Sequence, residues 1–169
     1  MDAQWPEGAT PLTLYLDLDG VLADFDAGAE RAIGTTNTYK WEWIHGPAAF
    51  WTALNADPNF FYHLPMTRDA DVLWGAVAHL HPTILTALPK RDSASVDQQK
   101  RAWVAEKLGT DVPVITCLTS EKPAYCLPGD ILVDDRAVNA AAWANKMGNF
   151  VLHVGAHTSI NTLRQLGII

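Results

Sequence analysis

Short apolar runs alternate with segments of helical periodicity along most of the chain. Leu12-Thr13-Leu14-Tyr15-Leu16 is rich in strand formers and stops at Asp17. It predicts a buried strand that delivers carboxylates at its C-terminal end. Further strands are expected at Thr83-Ile84-Leu85-Thr86, Val112-Pro113-Val114-Ile115-Thr116, Ile131-Leu132-Val133 and Phe150-Val151-Leu152-His153-Val154. The third contains Pro113, which cannot donate to a ladder. Between them, Ala70 to Leu80 places Val72, Leu73, Ala76, Val77 and Leu80 on one helical face. Val96 to Leu108 does the same with Ala102, Trp103, Ala105 and Leu108, and Gly109 follows as a C-cap. Asn139 to Met147 is alanine-rich and stops at Gly148, and Ser159 to Ile169 reads as a closing helix.

Strands alternating with helices predict an α/β fold, a Rossmann-like open and mainly parallel sheet covered on both faces. In such sheets ligands sit beyond the carboxyl ends of the strands. Three expected strand ends carry suitable polar groups: Asp17 with Asp19, Thr86, and Asp134 with Asp135. The stretch 25–65 breaks the alternation, with Trp41, Trp43, Phe50, Trp51, Phe60 and Phe61 among prolines and glycines. It is expected to be a small helical cap inserted after the first strand, leaving 1–24 and 66–169 as the α/β core.

Composition narrows the partners. Of the 169 residues, 49% are hydrophobic and 18% charged, which suits one globular domain with a sizeable core. The formal net charge is -7, from 12 basic and 19 acidic residues, so a long nucleic acid is disfavoured. A small phosphorylated molecule is not, since a metal ion and a few lysines invert the field locally. Cys117 and Cys126 make neither a disulfide framework nor a Cys-x-x-Cys pair, as expected of free thiols in a reducing compartment. Met1 to Glu7 shows no basic flank followed by an apolar run, and no apolar stretch approaches the ~20 residues that span a bilayer. A cytoplasmic protein without membrane partners is expected.

Asp17 and Asp19 lie two apart, so on an extended backbone both side chains point the same way. Two like charges so close need a cation between them or a shared proton. Hard oxygen ligands suit Mg²⁺, and Gly20 permits a sharp turn out of the strand. An Asp-x-Asp-Gly turn in solvent has the same pattern, and context separates the two readings.

The string Asp17-Leu18-Asp19-Gly20-Val21-Leu22 after an apolar strand resembles the signature of the haloacid dehalogenase (HAD) superfamily. Thr86, Lys122 in Thr119-Ser120-Glu121-Lys122, and Asp134-Asp135 follow in that superfamily's order. The resemblance implies a Mg²⁺-dependent phosphatase with an aspartyl-phosphate intermediate. Asp17 would be the nucleophile and Asp19 the general acid. Thr86 and Lys122 would bind the phosphoryl group. The metal would be held by Asp17, the Asp19 backbone carbonyl and the acidic pair; which of Asp134 and Asp135 touches it directly stays open.

A closer resemblance is to the 5'(3')-deoxyribonucleotidase family. It is carried by Asp17 to Asp26, by Asn59-Phe60-Phe61 before Leu64-Pro65, by Lys100-Arg101-Ala102-Trp103-Val104 and by Gly129 to Arg136. It implies a nucleoside monophosphate as substrate, Lys100 as a further phosphate ligand, and Phe25 and Phe61 as aromatic walls of the substrate pocket. Aromatic faces stack on bases, although these rings also suit a core. Ala87 stands where the nucleotidases usually have a second hydroxyl, and Glu121 precedes Lys122 where they often have Arg-Asp. Another small phosphate ester, such as a sugar phosphate, and a catalytically idle binding protein are the competing readings. His153 and His157 are expected in surface or core roles.

Overall fold

The computed structural model describes residues 11–169; the N-terminal segment read for a leader, and the first ten residues of the expected core, lie outside them. Five strands form one parallel sheet: β1 (Leu14–Leu16), β2 (Thr83–Ala87), β3 (Val114–Cys117), β4 (Ile131–Asp134) and β5 (Asn149–Leu152). The spatial order is β3-β2-β1-β4-β5, which puts β1 at the centre. Register is set by pairs such as Leu16 with Ile84 and with Val133. Helices α1 (Phe25–Ile33), α2 (Thr38–His45) and α3 (Pro47–Leu54) follow β1, and α4 (Ala70–Val77) leads to β2. Helices α5 (Ser93–Lys107), α6 (Ala140–Ala144) and α7 (Ala156–Gln165) complete the α/β alternation.

Successive strand residues point to opposite faces, and the core divides accordingly. Leu14 and Leu16, Ile84, and Ile131 and Val133 join one large cluster with helix residues such as Leu73, Trp103 and Leu163. Tyr15, Leu85 and Leu132 form a second cluster with Cys117, Cys126 and Trp143. Both faces are therefore covered, which explains why the strands read as continuous apolar runs rather than as alternations.

Element boundaries shift by a few residues from the sequence reading, for local reasons. β1 and β3 begin two residues later than expected, and Pro113 precedes β3, contributing only its carbonyl to Ile84 N. The helix expected to run to Leu80 ends at Val77 and tightens into a 3₁₀ turn over Ala78–Leu80, closed by His81 at φ 52°. α5 starts three residues before Val96. α6 is shorter than the alanine run suggests, and α7 starts at Ala156 and ends at Gln165 rather than Ile169.

The two ends of the 25–65 stretch meet. Asp24 N donates to Pro65 O at 2.8 Å, and Thr67 N donates to Leu22 O at 2.8 Å. Trp103 Nε1, fully buried on α5, donates to Leu64 O at 2.8 Å and ties the returning chain to the sheet side. Leu54, Phe60 and Phe61 from this stretch belong to the same apolar cluster as Leu18 and Leu22. Among the described residues no helix is long and apolar enough to cross a membrane.

Candidate active site

Beyond Leu16 the chain leaves the central strand in a tight loop. Leu22 N and Ala23 N both donate to Leu18 O at 2.9 Å, and Gly20 N donates to Ala23 O at 2.9 Å. Gly20 sits at φ 77°, in the left-handed region that favours glycine. A Cβ there would also lie 2.1 Å from Asp135 Oδ2. The backbone conformation thus favours glycine after Asp19, and any larger residue would also have to push the Asp135 carboxylate aside.

The loop and the ends of β2 and β4 open into a cleft of about 1200 Å³. Asp17, Asp19, Lys122, Asp135 and Phe25 line it. Carboxylate oxygens of Asp17, Asp134 and Asp135 lie within 4.8 Å of one another. Asp17 is only 5% exposed; its Oδ1 accepts from Leu18 N at 2.8 Å and lies 3.1 Å from Lys122 Nζ. Burial pushes the Asp17 carboxyl up to about 7, against the opposing pull of the Lys122 charge. Burial and the neighbouring Asp134 likewise raise Asp135 to about 6.

Asp134 and Asp135 differ sharply. Asp134 is fully buried and its oxygens are engaged: Oδ2 by Lys122 Nζ at 2.7 Å and Asn139 Nδ2 at 2.9 Å, Oδ1 by Arg136 N at 2.8 Å. Asp135 is exposed on the cleft wall. Lys122, 2% exposed, bridges Asp134 and Asp17. Those two carboxylates raise its pKa against the desolvation that lowers it.

The remaining expected site residues are less accessible. Thr86 is fully buried and is not part of the cleft wall. Its Oγ1 accepts from Lys100 Nζ at 2.9 Å. Lys100 is also buried, and it pairs with Asp19 Oδ2 at 2.6 Å. Phe25 lines the cleft, but Phe61, expected in the pocket wall, does not. It is 6% exposed and packs behind Phe25, with ring centroids 6.2 Å apart. The reason is its place in the apolar cluster at the returning end of the 25–65 stretch.

Other residues escaped the sequence reading. Asn139, at the start of the expected alanine-rich helix, holds Asp134 with its side chain. Tyr39, Arg68 and Arg136 line the cleft, as do both His153 and His157. His153 is nonetheless buried, with Nδ1 2.8 Å from Ser159 Oγ, and burial lowers its pKa. The sequence places His153 inside the fifth strand; the structure ends β5 at Leu152, so His153 stands where the carboxyl ends of parallel strands face the site.

No protein-family model matches the chain, and no curated protein matches it in sequence. Solved structures do match. A hydrolase from Streptococcus pneumoniae TIGR4 superposes with a TM-score of 0.53 at 16% identity, over 93% of this chain and 98% of the other. A HAD-superfamily hydrolase from Ehrlichia chaffeensis gives 0.54 at 9% identity, over 91% and 96%. Likeness at such identities concerns the arrangement of the backbone, and the five-stranded parallel order found here agrees with it. The chain has the Rossmann-type α/β core fold of the HAD-superfamily hydrolases.

Proposed function

We propose that the protein is a Mg²⁺-dependent phosphatase that dephosphorylates nucleoside 5'-monophosphates through an aspartyl-phosphate on Asp17. One observation carries this reading. A buried carboxylate at the end of the central strand faces a cleft, with a lysine at 3.1 Å and two further carboxylates gathered around it. Burying such a cluster is costly unless charge is neutralised, and a structural role gives no reason to assemble it at a cleft.

The donor set fits a hard divalent cation. Asp17, Asp135 and Asp134 offer only oxygen, and a cation bound there would favour the ionised forms that burial opposes at Asp17 and Asp135. Asp17 and Asp135, with the Asp19 carbonyl, would hold the ion directly. Asp134, saturated by Lys122, Asn139 and Arg136 N, would act on it from behind. Bound there, Mg²⁺ would offset the negative charge of the nucleophile and the phosphoryl oxygens.

The chain's own groups divide the remaining work. Asp17 attacks phosphorus, and Lys122 holds a positive charge beside its oxygen. Asp19 protonates the leaving oxygen and then takes a proton from the attacking water. Residues 25–65 act as a cap: α1 and α2 bring Phe25 and Tyr39 to the cleft. Phe25, backed by Phe60 and Phe61 with ring centroids 5.5 and 6.2 Å away, offers an anchored aromatic wall for a base.

Turnover of a panel of deoxynucleoside and ribonucleoside monophosphates against sugar phosphates, with Mg²⁺ and with chelator, tests the proposal. dUMP and dTMP are expected among the best substrates. If sugar phosphates match them, the phosphatase stands and the nucleotide reading falls. Absence of any Mg²⁺-dependent turnover leaves the idle binding protein.

A further inference from the structure

Lys100 is 1% exposed. Its Nζ donates to Asp19 Oδ2 at 2.6 Å, to Thr86 Oγ1 at 2.9 Å and to the Ala87 carbonyl at 2.8 Å. An ammonium has three N–H donors, so none is left for a phosphoryl oxygen. The Phe61 ring lies with its centroid 5.2 Å from Nζ and supports the desolvated charge. Asp19 itself lines the cleft, while its Oδ1 is buried and has no hydrogen-bond partner among the described residues. The carboxyl group is thus held through one oxygen only, by an ammonium that has no other freedom.

We infer that Lys100 is a positioning residue for Asp19, gripping Oδ2 so that the carboxyl group is held where it exchanges protons with the substrate, and is not a ligand of the phosphoryl group. The inference rests on the phosphatase reading. In the first half-reaction an Asp17 oxygen bonds to phosphorus and the bond from phosphorus to the ester oxygen breaks. The proton of the Asp19 carboxyl group passes to that departing oxygen, and the alcohol leaves. In the second half a water oxygen bonds to phosphorus, its proton passes to the Asp19 carboxylate, and the bond from phosphorus to Asp17 breaks. Both carboxyl groups are restored and inorganic phosphate is released.

A carboxyl group free to turn would present its proton in the right direction only part of the time. Lys100 removes that freedom because it is itself fixed by two groups of β2, the Thr86 hydroxyl and the Ala87 carbonyl. Positioning of this kind affects the proton-transfer step and leaves binding of the phosphoryl group alone.

Leaving-group dependence separates the two roles. p-Nitrophenolate departs without a proton, whereas an alkoxide needs one. Wild type, Lys100→Met, Lys100→Arg and Asp19→Ala are compared with Mg²⁺ on p-nitrophenyl phosphate and on the best alkyl ester of the substrate panel. Inhibition by inorganic phosphate is measured alongside. Lys100→Met should lose about 100-fold in kcat/KM on the alkyl ester, the lower range for a general acid, and Asp19→Ala should lose as much. This parameter reports the half-reaction expelling the alcohol and not the later attack of water. On p-nitrophenyl phosphate the Lys100→Met loss in kcat/KM should stay within about threefold, with the inhibition constant of phosphate equally unmoved.

Equal losses on both esters, or weakened inhibition by phosphate, overturn the inference and make Lys100 a phosphate ligand. Should Lys100→Met fail to fold, Lys100→Arg decides: it keeps the charge, displaces Asp19, and is expected to show the same selective loss. A uniform loss in that variant overturns the inference as well. Wild type inactive on both esters removes the phosphatase reading and this inference with it; wild type active on both, with uniform losses, removes only this inference.

Discussion

Lys122 Nζ lies 2.7 Å from Asp134 Oδ2 and 3.1 Å from Asp17 Oδ1, with all three side chains buried. One ammonium thus serves two carboxylates from different strand ends, β1 and β4. The arrangement couples stability to the site, because removing the lysine leaves two buried acids facing each other. Lys122→Met should destabilise the metal-free protein by about 3 kcal/mol, as for other broken buried ion pairs. Urea unfolding followed by circular dichroism measures this, and a change below about 1 kcal/mol, typical of an exposed pair, would sink the claim.

Asp17→Asn keeps the shape of the side chain and removes the attacking charge. On the phosphatase reading, kcat should fall by at least about 1000-fold on every ester, with thermal stability unchanged or raised. The rise would follow from removing a carboxylate whose ionisation is opposed by burial. Residual activity close to wild type would exclude Asp17 as nucleophile.

Asp17 and Asp135 predict how pH acts on the metal-free protein. Their pKa values are raised from 3.8 to about 7 and about 6, mainly by burial. The folded state therefore binds protons more tightly than the unfolded one. This contribution to stability is complete below the unfolded value and is lost as pH rises through about 6 and then about 7. Mg²⁺ competes with those protons, so its stabilising effect should be absent near pH 5 and grow toward about pH 8. Thermal melts with and without Mg²⁺ across that range check the trend. A gap in Tm independent of pH would argue against these ligands.

Asp69 caps a helix far away in sequence. It precedes α4, yet its Oδ2 accepts from Ala156 N at 2.7 Å, the first residue of α7. Asp69→Ala should cost about 1 kcal/mol, the usual value of an N-cap, and Asp69→Asn less because the acceptor is kept. Equal losses in denaturant unfolding would point to another role for Asp69.

Phe25→Leu keeps most of the apolar volume and removes the aromatic face. If a base stacks there, KM for nucleoside monophosphates should rise about tenfold, in line with stacking worth ~1–3 kcal/mol. KM for a sugar phosphate should stay put. Parallel changes in both would mean that Phe25 only supports the fold.

The fold class was legible because apolar runs of strand length and helical periodicities alternate without overlap, and packing rules leave few ways to cover such a sheet. Asp17, Asp19, Thr86 and Asp134 were legible because each ends a strand or follows one directly. Lys122 was found only by its order in the chain. Phe61 went astray because a phenylalanine suits a pocket wall and a core equally well, and only the packing of α1, α5 and the 57–64 turns separates the two.

By itself, the sequence of this chain determined the α/β alternation, the acidic end of the central strand, and glycine at position 20 where the chain turns. These depend on neighbours within a few residues, through strand periodicity and backbone sterics. The tertiary structure alone decided which charges meet. Lys100 and Asp19 stand 81 residues apart, and Asp69 and Ala156 stand 87 apart. Such pairs exist only once β1 lies between β2 and β4. Hydrogen bonds and ion pairs act over a few ångströms, so their partners are set by the packing of the sheet and not by distance along the chain.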